Sequence, residues 1–177
     1  MKNQIIKKHL IRSIFFAGFL AAAFFAAGFA PVQAANDDCD AQCKRDLAKA
    51  KAATAKYHNI EKALADGFVS TFQCVEVPQL GAMGIHYINI SRIMNPNVDP
   101  AEPEVLLYLP DENGHLRLVG LEYVVPKFLS GTPPSIFGQE YEDDAARNQW
   151  ALHVWAWRDN PSGLFAPFNP KLSCPGN

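Results

Sequence analysis

The chain lacks every compact catalytic signature that would name a reaction. It has no G-x-S-x-G elbow, no H-E-x-x-H, no P-loop and no G-x-G-x-x-G. No motif therefore supports an elbow-type hydrolase, a zincin peptidase, a nucleotide hydrolase or a dinucleotide enzyme. No serine sits at a recognisable strained turn, so a serine nucleophile has no support either. The chain is also short of positive charge. Of its 16 Lys+Arg, four (Lys2, Lys7, Lys8 and Arg12) lie in the first twelve residues, leaving twelve against 18 Asp+Glu. A chain with that balance is not a nucleic-acid binder.

Long hydrophobic runs are scarce too, and the one present sits at the start. The uncharged run Ile14 to Ala30 follows the basic leader, and Val32-Gln33-Ala34 places small residues at the -3 and -1 positions of a peptidase cut. Residues 1–34 thus read as a secretory signal peptide. An uncleaved membrane anchor is the competing reading, but the Ala/Gly-rich run is borderline for spanning. Asn36-Asp37-Asp38 before Cys39 is no lipobox. Cleavage would leave residues 35–177, expected to form a single domain without a stable membrane span, in the periplasm or secreted.

Cysteine is sparse, and in an exported chain four cysteines point to two disulfides. Of the three pairings, Cys74–Cys174 with Cys39–Cys43 is preferred: the first ties the two ends of the main domain, and the second is local. A redox or zinc reading of Cys39-x-x-x-Cys43 is weak. The redox motif has two intervening residues, and no second ligand pair follows at zinc spacing.

Leu47, Ala50, Ala53, Tyr57, Ile60 and Leu64 recur at three- and four-residue steps, which predicts one helix over 40–66. Asp38 or Asp40 can cap its start and Gly67 its end. The stretch 68–174 carries β-type runs divided by Pro, Gly and Asn: 68–77, 84–90, 105–109, 116–125 and 150–157. Asn113-Gly114 predicts a hairpin with a type I′ tip. In that register Val105 faces Glu122, Leu107 faces Gly120 and Leu109 faces Leu118. Residues 127–149 read as irregular, with an acidic patch from Glu140 to Asp144. The expected fold is α+β: one N-terminal helix packed on a mainly antiparallel sheet, stapled by disulfides.

The segments 81–87 (GAMGIHY), 106–108 (LLY), 118–123 (LVGLEY), 152–157 (LHVWAW) and 160–165 (NPSGLF), with Asn169-Pro170, resemble an uncharacterised group of small exported bacterial proteins. The resemblance covers residues 55–174. It implies export and a single domain, and it carries no catalytic residue.

Three chemically capable residues interrupt apolar strands. His86 shares a strand face with Ile88 and Ile90, Glu122 with Leu118 and Val124, and His153 with Trp155 and Trp157. A carboxylate in such a run is costly unless paired, protonated or coordinated. If the three faces agree, two imidazoles and one carboxylate form a site for one divalent metal ion such as zinc, iron or manganese. The alternatives are a buried structural network, with Tyr87 as a further partner of Glu122, or no contact at all. Trp155, Trp157, Tyr87 and Phe165 are the candidates for a ligand-binding aromatic wall; core packing is their ordinary role. Gly81 and Gly84 are read as an ordinary turn, with close backbone approach near His86 as the functional alternative. The functional expectation is an exported protein binding a small ligand or metal ion. The alternatives are a metal-dependent enzyme using the same trio and a secreted interaction module with no catalytic site.

Overall fold

Asp40 caps the first helix, its side chain accepting from the Cys43 backbone N–H at 2.8 Å. In the computed structural model, which describes residues 39–175, this helix is α1 (Ala41–Thr54). The leader expected over 1–34 lies outside the described residues. A tighter 3₁₀ turn, Ala55–His58, follows α1, and α2 (Ile60–Ala65) begins afresh. The single helix expected over 40–66 is therefore interrupted. Two local residues account for it. Buried Thr54 donates its hydroxyl back to the Ala50 carbonyl, a bond that competes with regular helix. Asn59 then adopts extended backbone and caps α2 through the Glu61 N–H. The break re-phases the apolar stripe, so Ala63 is buried and Leu64 is exposed. The helix ends at Gly67, which takes the positive φ that favours glycine.

Eight strands follow among the described residues: β1 (Val69–Val77), β2 (Gly81–Ile88), β3 (Val105–Pro110), β4 (Leu116–Pro126), β5 (Ser135–Ile136), β6 (Gln139–Glu140), β7 (Glu142–Asp144) and β8 (Gln149–Val154). Six of them form one antiparallel sheet in the order β1-β2-β3-β4-β8-β7, and β5 pairs with β6 separately. The architecture is α+β, as the sequence predicts. Several bounds differ, three of them with a clear local cause. β2 stops at Ile88 because Asn89 caps a short helix, α3 (Ile90–Ile93), which leaves Ile90 exposed. β8 stops at Val154, where the Trp155 N–H leaves the sheet for the Leu164 carbonyl. The stretch read as irregular holds an edge strand, β7, built from part of the acidic patch.

The β3–β4 hairpin has the expected pairs Val105–Glu122 and Leu107–Gly120. Towards the tip, Val119 bulges, and Leu109 faces Arg117 rather than Leu118. The tip also differs from type I′. The Gly114 N–H bonds the Asp111 carbonyl and Gly114 has positive φ, whereas Asn113 does not. The Asp111 carboxylate stabilises this wider loop by accepting from the Asn113 and His115 N–H groups.

The sheet separates two apolar clusters. On one face Leu106, Tyr108, Leu121, Tyr123 and Val154 pack with Tyr57 and Ala50 of the helical segment. Tyr108 donates its hydroxyl to the Tyr57 carbonyl at 2.6 Å, which fastens the helical layer to the sheet. On the other face Val105, Leu107, Leu109, Val119, Val124, Ala151 and Trp155 form a smaller cluster. The C-terminal tail crosses the end of β2: Ala82 pairs with Asn169, and Cys174 is bonded to Cys74. Cys39 and Cys43 form the second disulfide, across the start of α1. Gly81 and Gly84 serve this packing. A Cβ at Gly81 would lie 2.0 Å from the Asn169 carbonyl oxygen, and one at Gly84 would lie 2.7 Å from that of Tyr108. The close approach there is made by the protein's own backbone. Among the described residues no helix is long and apolar enough to cross a membrane.

Candidate metal centre

Strand register brings the trio together. Glu122 of β4 sits directly opposite His153 of β8. On its other side Glu122 faces Val105 of β3, and His86 of β2 faces Leu107, two residues along that same strand. Alternation puts all three side chains on the face of the smaller cluster. His86 Nε2 lies 3.5 Å from Glu122 Oε2, and His153 Nε2 lies 3.7 Å from Glu122 Oε1. The imidazole planes are nearly perpendicular, at 89°. One donor atom from each residue can be chosen so that all three lie within 4.8 Å of one another.

These separations suit metal ligands better than hydrogen-bond partners. An N–H···O bond has its heavy atoms about 2.7–3.2 Å apart. Ligands about 2.1 Å from a tetrahedral ion stand roughly 3.4 Å apart. The hydrogen-bonding record agrees with the distances. Glu122 is 6 % exposed and accepts no hydrogen bond among the described residues. His153 is 7 % exposed, and its Nε2 is buried without a hydrogen-bond partner. A buried imidazole nitrogen left without a partner is costly. A cation held between it and the Glu122 carboxylate would satisfy it.

Burial also sets the protonation states. Desolvation lowers the His153 pKa to about 4, and it lowers that of His86 against the attraction of the Glu122 carboxylate. Both imidazoles are therefore neutral near pH 7 and keep a lone pair for coordination. Desolvation raises the Glu122 pKa, with His86 opposing. A bound cation would reverse that shift and hold the carboxylate ionised.

The trio lines a cleft of about 500 Å³, within the range of small-molecule sites. Its walls are Val75, Met83, Ile88, Ile93, Val105 and Val124; its rim carries Glu142, Asp143, Asp144 and Arg147. Lys127 pairs with Asp143 and Arg147 with Asp144. The four aromatic candidates are placed elsewhere. Tyr87 packs edge-on against Tyr108 on the helix-covered face. Trp157 meets the His58 ring at 4.4 Å and donates to the Thr54 hydroxyl. Phe165 packs beside Phe137, and Trp155 is buried with its indole N–H on the Ala166 carbonyl. None of the four lines the cleft. Trp155 keeps the face of His153 but is packed into the smaller cluster, and Trp157 leaves that face because the strand carrying His153 ends before it.

The sequence predicts the strand over 68–77 but not that Thr71 and Gln73 on it line the cleft, and it leaves the acids of β7 in an irregular stretch. A second buried carboxylate, Glu104, went unnoticed because it stands just before β3. It is 2 % exposed and accepts from the Val124 N–H at 3.1 Å.

Fold and site together define a class: a disulfide-tied α+β protein with a buried two-histidine, one-carboxylate cluster open to a cleft. No family model matches the chain, and no curated protein and no solved structure does either.

Proposed function

We propose that this chain is an exported protein that binds one divalent metal ion through His86, Glu122 and His153. Its place is with the small exported bacterial proteins its segments resemble, in the periplasm or outside the cell. The open positions of the ion face the cleft and take a small ligand. The observation that carries this reading is at the cleft floor: the buried His153 Nε2 has no hydrogen-bond partner and stands 3.7 Å from the Glu122 carboxylate. Two neutral imidazoles and one carboxylate suit zinc, iron(II) or manganese(II). Two disulfides fit an oxidising compartment.

Metal titration of the purified, disulfide-intact protein tests the reading. Zinc or cobalt(II) should bind at one equivalent, and Glu122→Gln should weaken binding on the order of 100-fold or more. The metal-free protein gives a second readout. Glu122→Leu removes a desolvated carboxylate, so it should unfold later by about 1–3 kcal/mol. Absence of uptake, or a Glu122→Leu variant that is less stable than the parent, sinks the metal centre and leaves Glu122 as the hub of a structural network. The protein then reads as an interaction module. Turnover of a small molecule by the loaded protein would extend the proposal to a metal-dependent enzyme.

A further inference from the structure

We propose that the ligand completing this centre is a small monoanion with an apolar body, of the aryl or alkyl carboxylate class. The inference rests on the metal reading above and adds to it the charge and lining of the cleft. A divalent ion held by one carboxylate and two neutral imidazoles keeps one unit of positive charge. That charge would sit where Glu122 and His153 are almost fully buried, and an uncompensated buried charge is strongly disfavoured. One further negative ligand cancels it. A dianion overshoots and meets the acidic rim.

The rim does not supply the missing charge. Asp143 and Asp144 are engaged with Lys127 and Arg147. Glu142 acts on His153 across the cleft but is itself exposed, so solvent screening leaves it a weaker partner for a buried ion than a ligand bound directly to it. The cleft floor therefore selects a negative head group. The walls select what is attached to it. Val75, Met83, Ile88, Ile93, Val105 and Val124 offer no hydrogen bond from their side chains, so a polar body would lose its hydration without replacement. Thr71, Gln73 and Gln149 reach the cleft as its uncharged polar groups. Met83 is the residue left unpaired where β2 bulges between Ala82 and Gly84, which turns its side chain into the cleft.

The probes are phenylacetate, acetate and 2-phenylethylamine, added to the disulfide-intact protein loaded with one equivalent of cobalt(II). Visible absorption reports a ligand entering the cobalt coordination sphere. Phenylacetate should change the spectrum and bind at least about tenfold more tightly than acetate, since burying the ring adds more than about 1.4 kcal/mol. The amine should leave the spectrum unchanged. Met83→Asp and Met83→Lys place opposite charges on one wall of the same cleft. Phenylacetate should bind at least about tenfold more tightly to the lysine variant than to the aspartate variant, each compared with its cobalt site saturated. Equal affinity for acetate and phenylacetate overturns the apolar-body assignment. Binding of the amine as tight as that of phenylacetate overturns the charge assignment. Those results leave the metal centre standing. Failure of cobalt uptake is seen before any probe is added, and it removes the centre and this inference together.

Discussion

The two faces of the sheet handle burial in opposite ways. The face under the helical segment buries tyrosines, and it gives most of their hydroxyls a partner. Tyr108 donates to the Tyr57 carbonyl, Tyr123 to the Pro100 carbonyl, and Tyr57 to Asp66. The cleft face buries a carboxylate and an imidazole nitrogen and gives them no hydrogen bond. The contrast is clearest between two glutamates. Glu104 is as buried as Glu122, yet its carboxyl accepts a backbone N–H. Glu122 has only two imidazoles across gaps of 3.5 and 3.7 Å. The same chain can satisfy a buried carboxyl with its own backbone, so its failure to do so at Glu122 marks a site that leaves room for something else.

The faces also differ in what covers them, and breaking that difference should give the largest effect. The helix face is closed by a packed layer. Among the described residues the cleft face carries no helix of comparable size, and the C-terminal tail is tied there through Cys74–Cys174, with Cys74 and Leu172 packed on its cluster. That bond closes a loop of sequence separation 100. Replacing both cysteines by serine should lower stability by about 4 kcal/mol in the chain-entropy model, measured by urea denaturation. A loss below about 1 kcal/mol would mean that packing alone holds the tail.

The second effect separates the two glutamates by pH. Burial holds the Glu104 carboxyl up at about 8, while in the unfolded chain it titrates near the ordinary value of about 4.3. Its contribution to stability is therefore complete below that lower value. It falls as pH rises, because the unfolded state ionises first, and it stops falling above about pH 8. Glu104→Gln keeps an acceptor for the Val124 N–H and removes the ionisation. Its stability relative to the parent should rise by about 3–5 kcal/mol between pH 4 and pH 8. A constant difference across that range contradicts a protonated Glu104.

Much of this was legible in the sequence, for identifiable reasons. Period-2 alternation fixes which way a side chain points once a register is known; the register expected from Asn113-Gly114 puts Glu122 opposite Val105, and the bulge at Val119 offsets the different tip so that this pairing holds. The trio followed from that, because a carboxylate stands out in an apolar strand. What was not legible lies where local capping overrides periodicity. Asn59 breaks the helix and Asn89 ends β2 two residues early. The chain leaves the sheet after Val154, so Trp155 bonds the tail and Trp157 packs on the helical segment. Glu142–Asp144 form a strand only because β8 offers them an edge, and their sequence is poor in β-formers.

The smallest effect is the sharpest test of the opening contrast, because it sets two tyrosines of the same face against each other. Tyr108 and Tyr141 are both buried, and burial raises the pKa of each hydroxyl, so both stay neutral. Tyr108 bonds the Tyr57 carbonyl at 2.6 Å, whereas the Tyr141 hydroxyl has no hydrogen-bond partner among the described residues. Removing a made bond strands the carbonyl it served, so Tyr108→Phe should lose about 1–2 kcal/mol in urea denaturation. Tyr141→Phe removes a hydroxyl that was desolvated without compensation. It should be neutral or stabilising by up to about 1 kcal/mol. The two substitutions delete the same atom from the same kind of side chain, so their difference isolates the hydrogen bond from the packing. Equal losses would show that Tyr141 is served by an ordered water. An unsatisfied polar atom would then be no guide to ligand sites in this protein, and the case for His153 Nε2 would fall back on distances alone.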